Sequence, residues 1–349
     1  MKIKIPNYRK LLLIDYGNVQ VLPQPEQEFD WDEDKVLVRV HFSAISAGTE
    51  YAHVAGDPNI DATRKVEDTL QPLPRGLGYT CSGIVENVGA NIADLIVGDR
   101  VVIRGGGHAS HHVLPRDQIY RLPYEEITLE EIAPAYIATF SLSGARKIRV
   151  EAGESAAVMG CGILGLFAVQ FLSAMGATPV IAVDPVAEKR EKALSLGADY
   201  ALDPFDPNFV QNVLDLTDGR GINAAVEVTG KGQGLDMLLD IMARHGRISL
   251  LGCTRHSDFT IDYYRKIHYP GIELLGAHTG TRPDNDSRPG FWAYKDEYPA
   301  IFRLIHHNKV NFKAMISEIH PAGEAHDVYN RLATDYAHFP IGVLLDWRS

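Results

Sequence analysis

Residues 156–177, AAVMGCGILGLFAVQFLSAMGA, carry no charge across 22 positions, and this stretch restricts the fold more than any other. It is long enough to cross a bilayer. Glycines at 160, 162, 165 and 176 interrupt it, however, and an alternating, strand-like run, TPVIAVD, follows directly. That combination predicts a buried strand, a tight turn and a buried helix rather than a membrane span.

The turn is specific. Gly160, Gly162 and Gly165 stand in G-x-G-x-x-G spacing, after a strand at 156–159 and at the opening of a helix. The first glycine makes the turn, the second lets backbone approach a pyrophosphate, and the third lets helix and strand pack closely. Free N–H groups at the helix start, on Ile163 and Leu164, would then meet the phosphates. Nineteen residues past Gly165 stands Asp184, placed to accept hydrogen bonds from the adenosine ribose and to repel a 2′-phosphate. Pro185 and Val186 follow it, with no arginine to receive that phosphate. The expected cofactor is therefore NAD, with Lys189 as a further candidate for the ribose.

At 349 residues the chain is too long for one ordinary core, so two domains are expected. A net charge of −11 argues against nucleic-acid or anionic-membrane partners and says little about a small neutral substrate. Three cysteines, Cys81, Cys161 and Cys253, are odd in number and far apart, the pattern of reduced thiols in a cytoplasmic protein. MKIKIPNYRK at the N-terminus has no apolar core and is not expected to be a secretion signal.

The first 125 residues read as short strands with turns. VLVRVHF (36–42) alternates strictly, with Val36, Val38, Val40 and Phe42 on one face. From about residue 150 strands alternate with helices, which predicts a parallel, doubly wound sheet. Near the end an amphipathic helix, YPAIFRLIHHN, precedes the strand-like FPIGVLLDW.

GDRV (98–101), GGHASHHVLPRDQIYRLP (106–123), the glycine fingerprint, LGAD (196–199), TDGRGIN (217–223) and GRISLLG (246–252) together resemble the medium-chain alcohol dehydrogenase/reductase superfamily over nearly the whole chain. The resemblance implies an α/β protein with two domains. A GroES-like, β-rich catalytic domain would span 1–145, completed by 290–349, and a Rossmann NAD-binding domain would span 146–289. It further implies cofactor contacts from Thr229, Cys253 and His278, and a homodimer or homotetramer paired through the edge segment IELLGAHTG. Arg282, Arg288, Phe291 and Trp292, in the insert at 278–294, either cover a polar substrate or form a plain surface connection.

Zinc-dependent members hold the metal with a cysteine in C-x-[ST]-D, with G-H-E, and with a later acid or cysteine. Here ISAGTEY puts Ala47 in the first place, LGYTCSG puts Tyr79 and Thr80 in the second, and EIAPAYIA puts Ala133 in the third. Alanine cannot bind a metal and neutral tyrosine is a poor ligand, so no metal site is expected. His108, His111 and His112 do not restore one. On a strand, His108 and His112 would lie about 13 Å apart at roughly 3.3 Å per residue, and they are read as ordinary strand or surface histidines.

Metal-free alcohol oxidation needs a positioned base, which supplies about 10²–10⁴-fold. Tyr79 is the first candidate, with a hydrophobic plug as its other reading. Thr49 matches the hydroxyl that relays the substrate proton in zinc enzymes, and Glu50 and His53 are candidates for continuing the relay. The SAGTE wording looks most like a subgroup that includes bacteriochlorophyllide hydroxyethyl dehydrogenase. Related-looking chains act on sugar alcohols and aminocyclitols, which favours secondary alcohol to ketone chemistry. Reduction of an activated C=C bond is the alternative, and a non-catalytic NAD-binding protein the third reading.

Overall fold

The alternation at 36–42 becomes the centre of a mixed sheet. In the computed structural model, which describes residues 1–61, 71–257 and 259–349, the strand Lys35–Ala44 buries Val36, Val38, Val40 and Phe42. It pairs antiparallel with Thr80–Val88 on one side and with the C-terminal strand Val343–Asp346 on the other. His111–Pro115 pairs with its first half, while Arg100–Arg104 and Ile119–Arg121 extend the sheet beyond Thr80–Val88. A core of Val36, Val38, Val40, Ile45, Val85 and Val101 packs with Val328, Tyr329 and Trp347 from the chain's last segment. That end of the chain completes the first unit because its strand buries Val343, Leu344 and Leu345.

The second half forms the doubly wound sheet. Its strands are β1 (Ala156–Met159), β2 (Val180–Val183), β3 (Tyr200–Leu202), β4 (Ile222–Glu227), β5 (Met242–Leu250) and β6 (Glu273–Gly276). They lie parallel in the order 3-2-1-4-5-6. The uncharged stretch folds as β1 followed by the helix Ile163–Ala174, whose residues from 165 to 172 are all buried. No helix among the described residues is long and apolar enough to cross a membrane.

The chain divides into two compact units, Met1–Ile137 with Phe312–Ser349, and Ala138–Asn311. The helix Tyr294–His306 therefore belongs to the second unit, whereas the sequence reading gave it to the first. Its fully buried Glu297 pairs with Arg282, and the Arg146 guanidinium lies 3.6 Å over the Trp292 ring. These contacts also correct the reading of the 278–294 insert. Arg282 is spent on Glu297 and on the Thr139 and Trp292 carbonyls, so it holds the fold rather than covering a substrate.

Candidate active site and dinucleotide cradle

Within the first unit the site is built on a short helix, α1 (Ala47–Val54), that follows the central strand. Ser46 is its N-cap, yet the Ser46 hydroxyl makes no cap bond. Instead Glu50, one turn on, accepts the Ser46 backbone N–H at 2.7 Å. The other oxygen of Glu50 takes the Tyr329 hydroxyl and, at 3.0 Å, His108 Nε2. His108 Nδ1 lies 2.7 Å from Ser43 Oγ, which also accepts Trp347 Nε1–H at 2.7 Å. All five side chains are buried, between 0% and 3% exposed.

With Glu50 ionised and His108 neutral, one arrangement of protons satisfies this network. Trp347 can only donate and a carboxylate can only accept. Ser43 then donates to Nδ1, and His108 donates from Nε2 to Glu50. Gly78 is required beside it, because its φ is +79° and a Cβ there would collide with the His108 ring. His108 is thus neither in a strand nor at the surface, correcting the sequence reading. Glu50, a candidate for the relay, has its oxygens committed inside the core, to groups that are themselves buried. His53 lies half-buried on α1, with its carbonyl 3.4 Å from Arg75 Nη2.

The positions where the resemblance puts zinc ligands do converge. Thr80 Oγ1 donates to the Ala133 carbonyl at 2.6 Å and accepts the Tyr136 N–H at 3.3 Å. Half-buried Tyr79 packs edge-on against Tyr136, with ring centroids 5.7 Å apart, and its hydroxyl bonds to Ser46 Oγ. This donor set does not fit zinc: two alanines have no donor atom, Thr80 is turned to a carbonyl, and Tyr79 is bonded to a serine. Among the described residues no group of three or more His, Cys, Asp or Glu could hold a metal ion.

The second unit carries the nucleotide cradle. Gly160 has φ +101° and packs on Thr229, a Cβ at Gly165 would collide with the Gly160 carbonyl, and a Cβ at Gly162 would meet nothing. The backbone before Ile163 and Leu164 is therefore open where a pyrophosphate would approach, and the residues fit a dinucleotide. Asp184, at the end of β2, accepts the Cys161 N–H at 2.8 Å and the Val186 N–H at 2.9 Å. Its carboxylate is thereby fixed beside the fingerprint turn. Burial pushes the Cys161 thiol up to about 12, so that cysteine is inert at neutral pH. Lys189 is half-buried on the following helix, where Arg190 is held by the Asp184 and Pro185 carbonyls.

The other expected cofactor contacts also lie in the second unit. Thr229 is brought against Gly160, but its N–H and hydroxyl are both spent on buried Glu227. Burial pushes the Glu227 carboxyl up, and it also accepts the Gly230 N–H at 3.2 Å. Cys253 is exposed, with its backbone against Gly230. His278 is exposed and accepts the Gly280 N–H at 3.1 Å, capping its own turn. Sequence reasoning missed Ser46 and Glu227. Ser46 stood inside the quoted ISAGTEY, immediately before Ala47, and Glu227 was an acid ending an apolar strand, the same signal that found Asp184.

A β-rich unit with a polar cluster at a short helix, joined in sequence to a six-stranded dinucleotide fold, defines a nucleotide-linked oxidoreductase. The family described as Alcohol dehydrogenase GroES-like domain matches residues 32–124, and that described as Zinc-binding dehydrogenase matches 164–293. The chain belongs to the medium-chain alcohol dehydrogenase/reductase superfamily and is an oxidoreductase of the alcohol dehydrogenase type. L-threonine 3-dehydrogenase of Pyrococcus horikoshii is 28% identical over 277 residues, covering 70% of this chain and 74% of that one. D-guloside 3-dehydrogenase of Escherichia coli is 26% identical over 303 residues, covering 82% and 85%. Galactitol-1-phosphate dehydrogenase of Escherichia coli shares the fold, with a TM-score of 0.79, 22% identity and coverage of 97% and 99%.

Proposed function

We propose that this protein interconverts a secondary alcohol on a polyol, amino-polyol or cyclitol and its ketone, using NAD and no catalytic zinc. The observation that carries the reading is the Tyr79 phenol, bonded to Ser46 at the start of α1. It stands among positions 47, 80 and 133, whose side chains offer no zinc donor set. A bound NAD supplies the hydride acceptor. Tyr79 takes the substrate's hydroxyl proton in oxidation and returns it in reduction. Thr49, three residues past Ser46 in the first turn of α1, donates to the same substrate oxygen.

The preference for NAD rests on Asp184. Its fixed negative charge would face a 2′-phosphate, and Arg190 is already committed to backbone carbonyls and Asp203. Relatives named for 3-dehydrogenation of L-threonine and of D-guloside support an alcohol carbon within a polar molecule. Strand β6 lies at the sheet edge, which supports a homo-oligomer paired there. A single-chain mass by light scattering at micromolar concentration would exclude it.

Sorbitol, xylitol and myo-inositol assayed with NAD, against 2-cyclohexenone with NADH, test the reaction class. Turnover of a polyol is expected, and enone reduction without polyol turnover overturns the reading. On the polyol turned over, Tyr79→Phe should lower kcat and kcat/KM together by roughly 10²-fold or more, with the melting temperature nearly unchanged. A silent Tyr79→Phe would make the ring a plug.

A further inference from the structure

Ser46 is an N-cap residue that does not cap. Ser, Thr, Asp and Asn hold that place in most helices because the side chain accepts an N–H of the first turn. Here the Ser46 side chain makes no such bond, and its backbone N–H is taken by Glu50 at 2.7 Å. Glu50 is held from behind by His108 and Tyr329, so Ser46 is clamped through its backbone and its hydroxyl is left for Tyr79. Ser46 as a residue is only 5% exposed.

We infer that Ser46 is the positioning residue that sets the proton affinity of Tyr79, by donating its hydroxyl proton to the phenol oxygen whenever that oxygen is ionised. This rests on the reading of Tyr79 as the proton-handling group. In ketone reduction the carbonyl carbon gains the hydride from NADH and the carbonyl oxygen gains the phenol proton. For the transfer the phenol turns its O–H from Ser46 Oγ to the carbonyl oxygen; Tyr79 is left as a phenolate, and the Ser46 hydroxyl turns to donate to it. Alcohol oxidation runs the same exchange backwards, and each turnover closes when Tyr79 exchanges one proton with solvent water. The first-turn N–H groups of α1 reinforce the effect, since a helix N-terminus favours negative charge. Other titratable groups around this point are Glu50 on α1, His108 against Gly78, Tyr329 behind Glu50, and Tyr136 edge-on to the Tyr79 ring.

The test needs no substrate. In full-length protein labelled with ¹³Cζ-tyrosine, the Tyr79 resonance among the 15 tyrosines is identified by its loss in Tyr79→Phe, and its ionisation is followed with pH. A hydrogen bond to the charged form lowers a phenol's pKa. Ser46→Ala removes a charge-assisted bond from the phenolate and a weaker bond from the neutral phenol, so the Tyr79 midpoint should move up by about 1 pH unit, the difference between the two. Ser46→Thr, which keeps the hydroxyl, should restore it. Ser46→Cys, whose thiol ionises before a phenol and then cannot donate, should also raise the midpoint and serves if the alanine variant does not fold. A midpoint unchanged or lowered in both Ser46→Ala and Ser46→Cys overturns the inference. That result is separate from Tyr79→Phe turnover, which decides the reading it rests on.

Discussion

Replacing Glu50 distinguishes a scaffold from a proton path. Glu50→Ala removes the acceptor of three hydrogen bonds, from Ser46 N–H, His108 Nε2 and the Tyr329 hydroxyl, and leaves those donors buried. Leaving a buried donor without a partner costs about 1–3 kcal/mol, so three such donors, with some relaxation, cost about 3–5 kcal/mol together. For a domain of this size that corresponds to a fall of roughly 6–20 °C in melting temperature. Glu50→Gln should be milder. Its carbonyl can keep the Ser46 N–H, while its NH₂ can donate to His108 if that ring moves its proton to Nδ1 and donates to Ser43. The Tyr329 hydroxyl then has to turn, so a cost of about 1–2 kcal/mol is expected. Thermal melts of the intact chain, paired with polyol turnover at a temperature where both variants are folded, provide the assay. Glu50→Gln melting as low as Glu50→Ala would refute the proton arrangement of the network. Glu50→Gln melting like the parent but losing 10²-fold or more in turnover would return Glu50 to the proton path.

Asp184→Ala should narrow the preference for NAD over NADP. It should also lower the melting temperature, because the carboxylate holds the Cys161 and Val186 N–H groups; a parent enzyme that prefers NADP under matched conditions refutes the assignment. Elemental analysis of protein purified without a His-tag should find well under one zinc per chain, and stoichiometric zinc lost together with activity would overturn that expectation. Burial pushes the His112 imidazole down to about 4, against an opposing hydrogen bond to the Gly107 carbonyl at 2.9 Å. Its folded pKa lies below the unfolded value near 6.5, so its contribution is fully present above about pH 6.5 and is lost as pH falls toward 4. Urea midpoints should drop across that interval, and less steeply in His112→Asn.

What the sequence determined alone is local. The fingerprint turn, the helix after it and the acid ending the next strand depend on residues within about 25 positions of one another, and backbone sterics at glycine enforce them whatever lies outside. Strand alternation at 36–42 and the strand–helix alternation after 150 reflect periodicities that burial on one or both faces imposes. The residues at the family's zinc-ligand positions, Ala47, Tyr79, Thr80 and Ala133, were legible for the same reason, since they are single residues in short frames. The polar network around α1 was not. Glu50 meets His108 at a separation of 58 residues and Tyr329 at 279, and Trp347 meets Ser43 at 304. Such partners leave no period and no spacing in the chain. Only the return of the C-terminal strand to the first sheet brings Trp347 to Ser43, and only then does a buried carboxylate find enough donors to become a clamp. Ser46 and Tyr79, 33 residues apart, were likewise joined by the tertiary fold, because a hydroxyl's role depends on which neighbour reaches it first.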